Sequence, residues 1–124
     1  MPKTVHDDVL DGAFDVLDQA TLQTVCSAQP TTLLEATTTY KLADVVMTAN
    51  TDYTKANGDT SGRKVTVAAK SGVLIDTSGT GVFIALCDAT RLLYVTTCTS
   101  QALTANGSNT VNFPAWDVEI ADPT

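Results

Sequence analysis

Residues 81–98 read GVFIALCDATRLLYVTTC, two apolar runs parted by a short polar break. Val82, Ile84 and Leu86 fall on alternate positions, as do Leu93 and Val95, which is the two-residue period of a strand with one buried face. Asp88-Ala89-Thr90 between them is turn chemistry, because an Asp side chain can bond its own backbone two residues on. The stretch therefore predicts two strands, at 81–88 and 91–98, joined as an antiparallel hairpin.

Working outward from this hairpin, the same grammar recurs. Strands are predicted at 63–70 and 72–77 before it and at 109–113 and 115–121 after it. Ser71-Gly72, the Ser78-Gly79-Thr80-Gly81 cluster and Asn106-Gly107 supply the breaks, since Gly and Asn tolerate the positive φ of tight hairpin turns. Pro114 cannot donate a ladder hydrogen bond and belongs at a strand start, an edge or a bulge. After it, Trp116, Val118 and Ile120 alternate with Asp117, Glu119 and Ala121, giving an apolar inner face and an acidic outer one. Toward the N-terminus a strand is predicted from Leu22 to the break at Gln29-Pro30. Thr32 and Glu35 suit the cap of a single helical turn, the threonine run to Tyr40 favours extended chain, and a short strand follows around 43–48. Residues 50–62 read as a polar loop. Threonine, 22 of 124 residues, suits this assignment, because its branched Cβ favours the pleated surface.

The first twenty residues follow a different period. Leu10, Ala13, Phe14 and Leu17 recur at i, i+3, i+4, i+7, and Asp11, Asp15 and Asp18 fall opposite, so a helix is predicted from about His6 to Gln19 with Thr4 as its N-cap. The carboxylates of Asp7, Asp11, Asp15 and Asp18 lie about one turn apart and form an acidic stripe, read either as a solvated face or as a docking face for a basic subunit. The fold class expected is mainly β: an antiparallel β-sandwich or barrel of about 7–8 strands with an N-terminal α-helix. Residues 1–20 hold the helix as part of the same unit, and 21–124 form one β-sandwich domain, because a chain of this length supports a single core.

Charge narrows the partners. Seven basic residues against 14 acidic ones give a net charge of -7, which repels phosphate backbones and anionic headgroups, so neither nucleic acid nor membrane is expected. No secretory pattern opens the chain and no apolar run reaches membrane-spanning length, so folding in the cytoplasm is expected. Cys26, Cys87 and Cys98 make no Cys-x-x-Cys pair and read as small buried groups. His6, the only histidine, would have to serve any catalytic triad from the first turn of the chain, and reads as a helix-start residue. Gly58-Asp59-Thr60-Ser61-Gly62-Arg63-Lys64 resembles a phosphate-binding loop but has three residues between its glycines, and Val65 stands where a Ser or Thr must hold magnesium. Asn50, Asp52, Asn57 and Asp59 match no calcium-loop spacing. Asn106-Gly107-Ser108 fits the glycosylation pattern but sits in turn context. Tyr40, Tyr53, Tyr94 and Trp116 do not cluster in sequence. No catalytic, cofactor-binding or metal residues are expected, and no cofactor.

Four stretches, Cys26–Thr32 (CSAQPTT), Gly58–Val67 (GDTSGRKVTV), Leu92–Cys98 (LLYVTTC) and Trp116–Pro123 (WDVEIADP), resemble a group of small proteins encoded among the structural genes of tailed bacteriophages. The resemblance spans nearly the whole chain. It implies a building block of a virus particle, with no functional residues to carry over. Small size, a polar β-rich exterior and the lack of a reactive motif favour a head decoration or cement protein. It would be bound to the major capsid protein or other virion subunits, as a homo-oligomer with a trimer as one arrangement, and assembled in the host cytoplasm. The alternatives are a head, neck or tail fibre module that touches the host surface through 50–62 and the hairpin tips, and an enzyme of the lysis or depolymerase class.

Overall fold

The computed structural model describes residues 4–123. Met1–Lys3 and Thr124, which the sequence reading assigns to the helical segment and to the β-domain, lie outside the described residues. The described chain is mainly β, with an N-terminal helix, α1 (Asp7–Leu17), and nine strands in antiparallel sheets. The strands are β1 (Leu22–Cys26), β2 (Lys41–Val46), β3 (Tyr53–Asn57), β4 (Arg63–Val67), β5 (Lys70–Leu74), β6 (Gly79–Cys87), β7 (Leu92–Leu103), β8 (Thr110–Phe113) and β9 (Trp116–Ile120). They form a four-stranded sheet of order β2-β1-β6-β7, a three-stranded sheet β3-β4-β9 and a pair β5-β8. No sheet closes on itself, so the barrel alternative does not apply.

The 81–98 hairpin is present as β6 and β7, and Asp88 builds its turn by accepting hydrogen bonds from the backbone N–H of Thr90 (2.8 Å) and of Arg91 (2.6 Å). One detail differs from strict alternation. Leu86 faces Tyr94 while Cys87 faces Leu92, so Leu93 is an extra residue in β7. This bulge turns both Leu93 and Tyr94 toward one core cluster and leaves Leu92 and Val95 to another, which separates the Leu93 and Val95 that simple periodicity groups together. A second bulge does the same in β2: Val25 faces Ala43 and Cys26 faces Lys41, so Leu42 and Ala43 are both buried in one cluster.

Two expected breaks fall inside strands. The Ser78-Gly79-Thr80-Gly81 cluster forms no turn, since β6 begins at Gly79. A Cβ on Gly79 would lie 2.9 Å from Leu42 Cδ2 and one on Gly81 2.7 Å from Val25 Cγ2, so these glycines let the neighbouring side chains close over the strand. Gly72, at φ +68°, bulges β5 rather than starting a strand, and the real break lies at Ala68-Ala69. Asn106-Gly107 does turn the chain, with Asn106 Oδ1 accepting from Ser108 and Asn109 N–H, but it carries the chain from β7 to β8 in a different sheet and is no hairpin.

The 50–62 loop is corrected as well. Tyr53–Asn57 is a strand paired residue for residue with β4, and this is the ninth strand. It reads as polar because only Tyr53 is a large apolar residue; Lys55 lies alongside with its ammonium held by carboxylates. The threonine run before Tyr40 is not extended either. Glu35–Thr39 is a π-helical turn, held where Thr37 donates from its hydroxyl to the Leu33 carbonyl (2.8 Å), while the predicted cap is real: Thr32 Oγ1 accepts from Glu35 N–H at 3.1 Å.

One face of the four-stranded sheet packs on both smaller sheets. Leu86 shares a core with Val65 and Val67 of β4, Val118 of β9, Tyr53 of β3 and Phe14 and Leu17 of α1. Val25, Leu42 and Ala43 share a second core with Val73 of β5 and Phe113 of β8. The other face is partly covered by the π-helical segment through Leu33 and Ala36. Between the layers, the fully buried Gln23 accepts a hydrogen bond on Oε1 from Trp116 Nε1 at 2.9 Å, tying β1 to β9.

Candidate functional site: a charge-paired surface and an uncharged edge

The acidic stripe of α1 is the first feature that needs a partner. The helix is capped by His6, whose Nδ1 accepts from Asp8 N–H at 3.1 Å, two residues later than the predicted Thr4. Its buried face is rotated from the expected one: Phe14, Leu17 and Asp18 are buried and Asp11 is half-buried, whereas Ala13 is exposed. Asp18 and, in part, Asp11 thus lie on the packing side. Asp11 accepts from Arg63 Nε at 2.9 Å and from Arg63 Nη2 at 3.3 Å; Lys55 bridges Asp15 and Asp18, with Asp18 Oδ2 at 3.1 Å. Asp11 and Asp18 are neither a solvated nor a docking face, whereas Asp15 stays exposed but is paired with Lys55 within the chain. Together the three clamp the helix to the β3-β4 hairpin, and only Asp7 and Asp8 stand clear at the helix start. Their hydrogen bonds raise the pKa of both cations: Lys55 chiefly through Asp15, Arg63 chiefly through Asp11.

The same pairing recurs across the surface. Lys41 bonds Asp44 and Asp76, Lys64 bonds Asp59 and Asp117, Lys70 bonds Asp52, and Arg91 bonds Asp88. Among the described residues every Lys and Arg is thus matched to an Asp of its own chain, and the uncompensated acids are Asp7, Asp8, Glu35, Glu119 and Asp122. This bears directly on the phosphate-loop likeness at Gly58–Lys64. That segment is a tight hairpin leading into β4, with Gly58 N–H donating to the Gly62 carbonyl (2.9 Å) and Gly62 at φ +72° passing so close to Ile120 that a Cβ would meet its carbonyl at 1.9 Å. Gly62 serves that approach, Gly58 clears the Ser61 carbonyl within the turn, and Arg63 and Lys64 are held by carboxylates.

The thiols lie apart from any ionisable cluster. Cys26 and Cys87 are buried and Cys98 is half-buried; burial raises the pKa of all three, Cys87 to about 11. Among the described residues no three His, Cys, Asp or Glu side chains converge as a metal would require, and no helix is long and apolar enough to cross a membrane. Asn50, Asp52, Asn57 and Asp59 do not meet: Asn50 and Asp52 lie in the turn before β3, where Asp52 accepts from Thr48 N–H and pairs with Lys70, and Asn57 and Asp59 lie at its far end.

Two of the four tyrosine and tryptophan residues, Tyr94 and Trp116, do come together, though sequence spacing gives no hint of it. Tyr94 and Trp116 stack with ring centroids 5.9 Å apart, brought together by β7 and β9. Beside them are two shallow apolar clefts: one of about 270 Å³ between α1 and the Leu93, Tyr94 and Ile120 side chains, and one of about 320 Å³ bounded by Ile84, Thr96, Cys98, Pro114 and Trp116. Neither brings an acid, a base and a nucleophile to one point.

What remains is a layered β-domain of paired charges and exposed Thr, Ser and Asn side chains. No family model, curated protein or solved structure matches this chain.

Proposed function

We propose that the chain is a structural protein of a tailed-phage virion, a head decoration or cement subunit on the capsid surface that contacts the major capsid protein and copies of itself. The observation that carries this reading is the matching of every described cation to an Asp of the same chain, which leaves acidic, hydroxyl and amide groups outward and no convergent ionisable cluster in either cleft. Such a surface disfavours nucleic acid and anionic membrane. Its short side chains lose little entropy when packed into a lattice, and many weak contacts in parallel add through avidity. In this reading the protein is not an enzyme and uses no cofactor; it is assembled in the host cytoplasm and resides in the virion. The resemblance to small virion-associated proteins points the same way.

The test is removal. Particles stripped of the subunit lose resistance to heat and to chelators and regain it on adding the purified chain back; unchanged resistance refutes the cementing role. The apolar cleft beside Trp116, rimmed by Thr96 and Asp117, favours a second reading, a head, neck or tail fibre module that touches the host surface. Counting copies by quantitative mass spectrometry separates the two, because decoration requires hundreds per particle and a fibre module few.

A further inference from the structure

Two of the chain's asparagines, Asn57 and Asn106, precede a glycine, whereas Asn50 and Asn109 precede a β-branched threonine and Asn112 a phenylalanine. An asparagine before glycine is set against its own backbone. The next peptide nitrogen, unshielded by a Cβ, can reach the side-chain carbonyl carbon and close a five-membered imide. The fold treats the two sites differently.

Asn106 lies in the exposed bend between β7 and β8, outside any strand. Its Oδ1 collects three donors: Ser108 N–H at 3.0 Å, the Ser108 hydroxyl at 3.2 Å and Asn109 N–H at 2.8 Å. These are the groups that an oxyanion forming on that atom needs, because fixed donors gain most as the oxygen takes up charge. Among the described residues, neither the Gly107 N–H nor Asn106 Nδ2 makes a hydrogen bond, and a Cβ on Gly107 would meet nothing within 4 Å. Asn57 is the contrary case. It closes β3 in register with Arg63, and its Oδ1 accepts from Arg63 Nη1 at 2.8 Å. The Gly58 N–H is committed to the Gly62 carbonyl at 2.9 Å, and the Ser61 carbonyl crowds Gly58.

We propose that Asn106-Gly107 is a self-modification site, where the folded chain converts its own asparagine to aspartate and isoaspartate while the same dipeptide at Asn57-Gly58 is protected. The Gly107 nitrogen attacks Asn106 Cγ. A new C–N bond forms, the Cγ–Nδ2 bond breaks, the Gly107 amide proton passes through water to the departing nitrogen, and ammonia leaves. Water then opens the imide at one of its two carbonyls. One opening gives aspartate, and the other gives isoaspartate, which routes the main chain through Cβ and Cγ of residue 106. Either product adds one negative charge to the chain's -7. The isoaspartate also lengthens the bend by one carbon just before Asn109, whose carbonyl accepts from Ile75 N–H at 3.0 Å, and so loosens the approach to β8. The released ammonia makes the change one-way, and its extent records how long the chain has been folded. The inference stands whether or not the virion reading does.

Peptide mass spectrometry of the full wild-type chain tests it. The chain is held in neutral buffer, folded or in urea, and then cleaved after Lys and Arg, which places Asn57 in the peptide 56–63 and Asn106 in the peptide 92–124. Each conversion adds about 1 Da, and fragmentation assigns the residue and the product. In the folded chain Asn106 is expected to convert at least about fivefold faster than Asn57, and in urea, where neither turn survives, the two rates converge to within about twofold. A smaller lead in the folded chain, a lead that persists in urea, or an Asn106 that keeps its amide while the unfolded chain loses it overturns the proposal.

Discussion

Replacing Lys55 with Met removes the cation that clamps α1 while keeping a stem of similar length and packing. The cost follows from where each carboxylate sits. Asp18 is 4 % exposed, its Oδ1 accepts no hydrogen bond among the described residues, and Lys55 is the one cation on its Oδ2. Asp15 is 66 % exposed and water can replace the lysine there. Breaking a fully buried ion pair costs about 3–5 kcal/mol, because a desolvated charge is left behind, whereas a surface pair contributes about 0–1 kcal/mol. Lys55 itself is 27 % exposed, which places its Asp18 arm below the fully buried limit. We therefore expect Lys55→Met to destabilise the fold by about 2–3 kcal/mol and Asp15→Asn by about 0.5 kcal/mol or less. Lys55→Met/Asp18→Asn should recover at least half of the loss, since a neutral amide is far cheaper to bury unpaired than a carboxylate. Urea unfolding followed by the fluorescence of Trp116, the single tryptophan, reads these differences, with a midpoint shift of about 1–2 M for Lys55→Met. If Lys55→Met unfolds within about 0.5 kcal/mol of wild type, or Asp15→Asn costs as much, the helix is not held by a buried charge pair.

Two further outcomes follow from the interior. Trp116→Phe leaves Gln23 Oε1 buried without a donor and is expected to cost about 2–3 kcal/mol; Gln23→Leu exposes only a half-buried indole N–H to water and costs less, and a thermal double-mutant cycle should show coupling of about 1 kcal/mol or more between them, its absence meaning that this bond does not join the layers. Alkaline pH is the second perturbation: the pKa values of Tyr53 and Cys87 are raised by burial, and that of Lys55 by its Asp15 and Asp18 partners. Groups whose folded pKa lies above the unfolded value contribute stability that is complete below the unfolded pKa, about 8.5 for Cys and 10 to 10.4 for Tyr and Lys, and is lost as pH rises through the folded value. Thermal midpoints should hold level from about pH 6 to 8 and fall steadily above about pH 9, and midpoints that rise toward pH 11 would contradict the burial of Tyr53 and Cys87.

Much of the β architecture was legible along the chain. Turn chemistry at Asp88-Ala89-Thr90 and alternation in Trp116–Ile120 are local signals, and both elements stand where those signals put them. The missed strand, Tyr53–Asn57, lacked such a signal because its inward lysine looks polar until its carboxylate partners are known. The misplaced turns had the opposite fault. Gly79 and Gly81 carry the residue type of a turn, but their purpose is clearance for Leu42 and Val25, which come from other strands.

The candidate surface divides along the same line. The acidic stripe of the helix could be read from spacing, yet whether it faces solvent, a partner subunit or its own sheet depends on the rotation of the helix, and that is set by where Phe14 and Leu17 find apolar neighbours. Residue types and local periods, which act over a few positions, determined by themselves a mainly β chain with a leading helix and an acidic exterior. Only the tertiary structure decided which strands are edges, which charges are neutralised within the chain, and that Tyr94 meets Trp116. Each of these depends on contacts between residues far apart in sequence, where loop closure and packing, not local propensity, choose the partner.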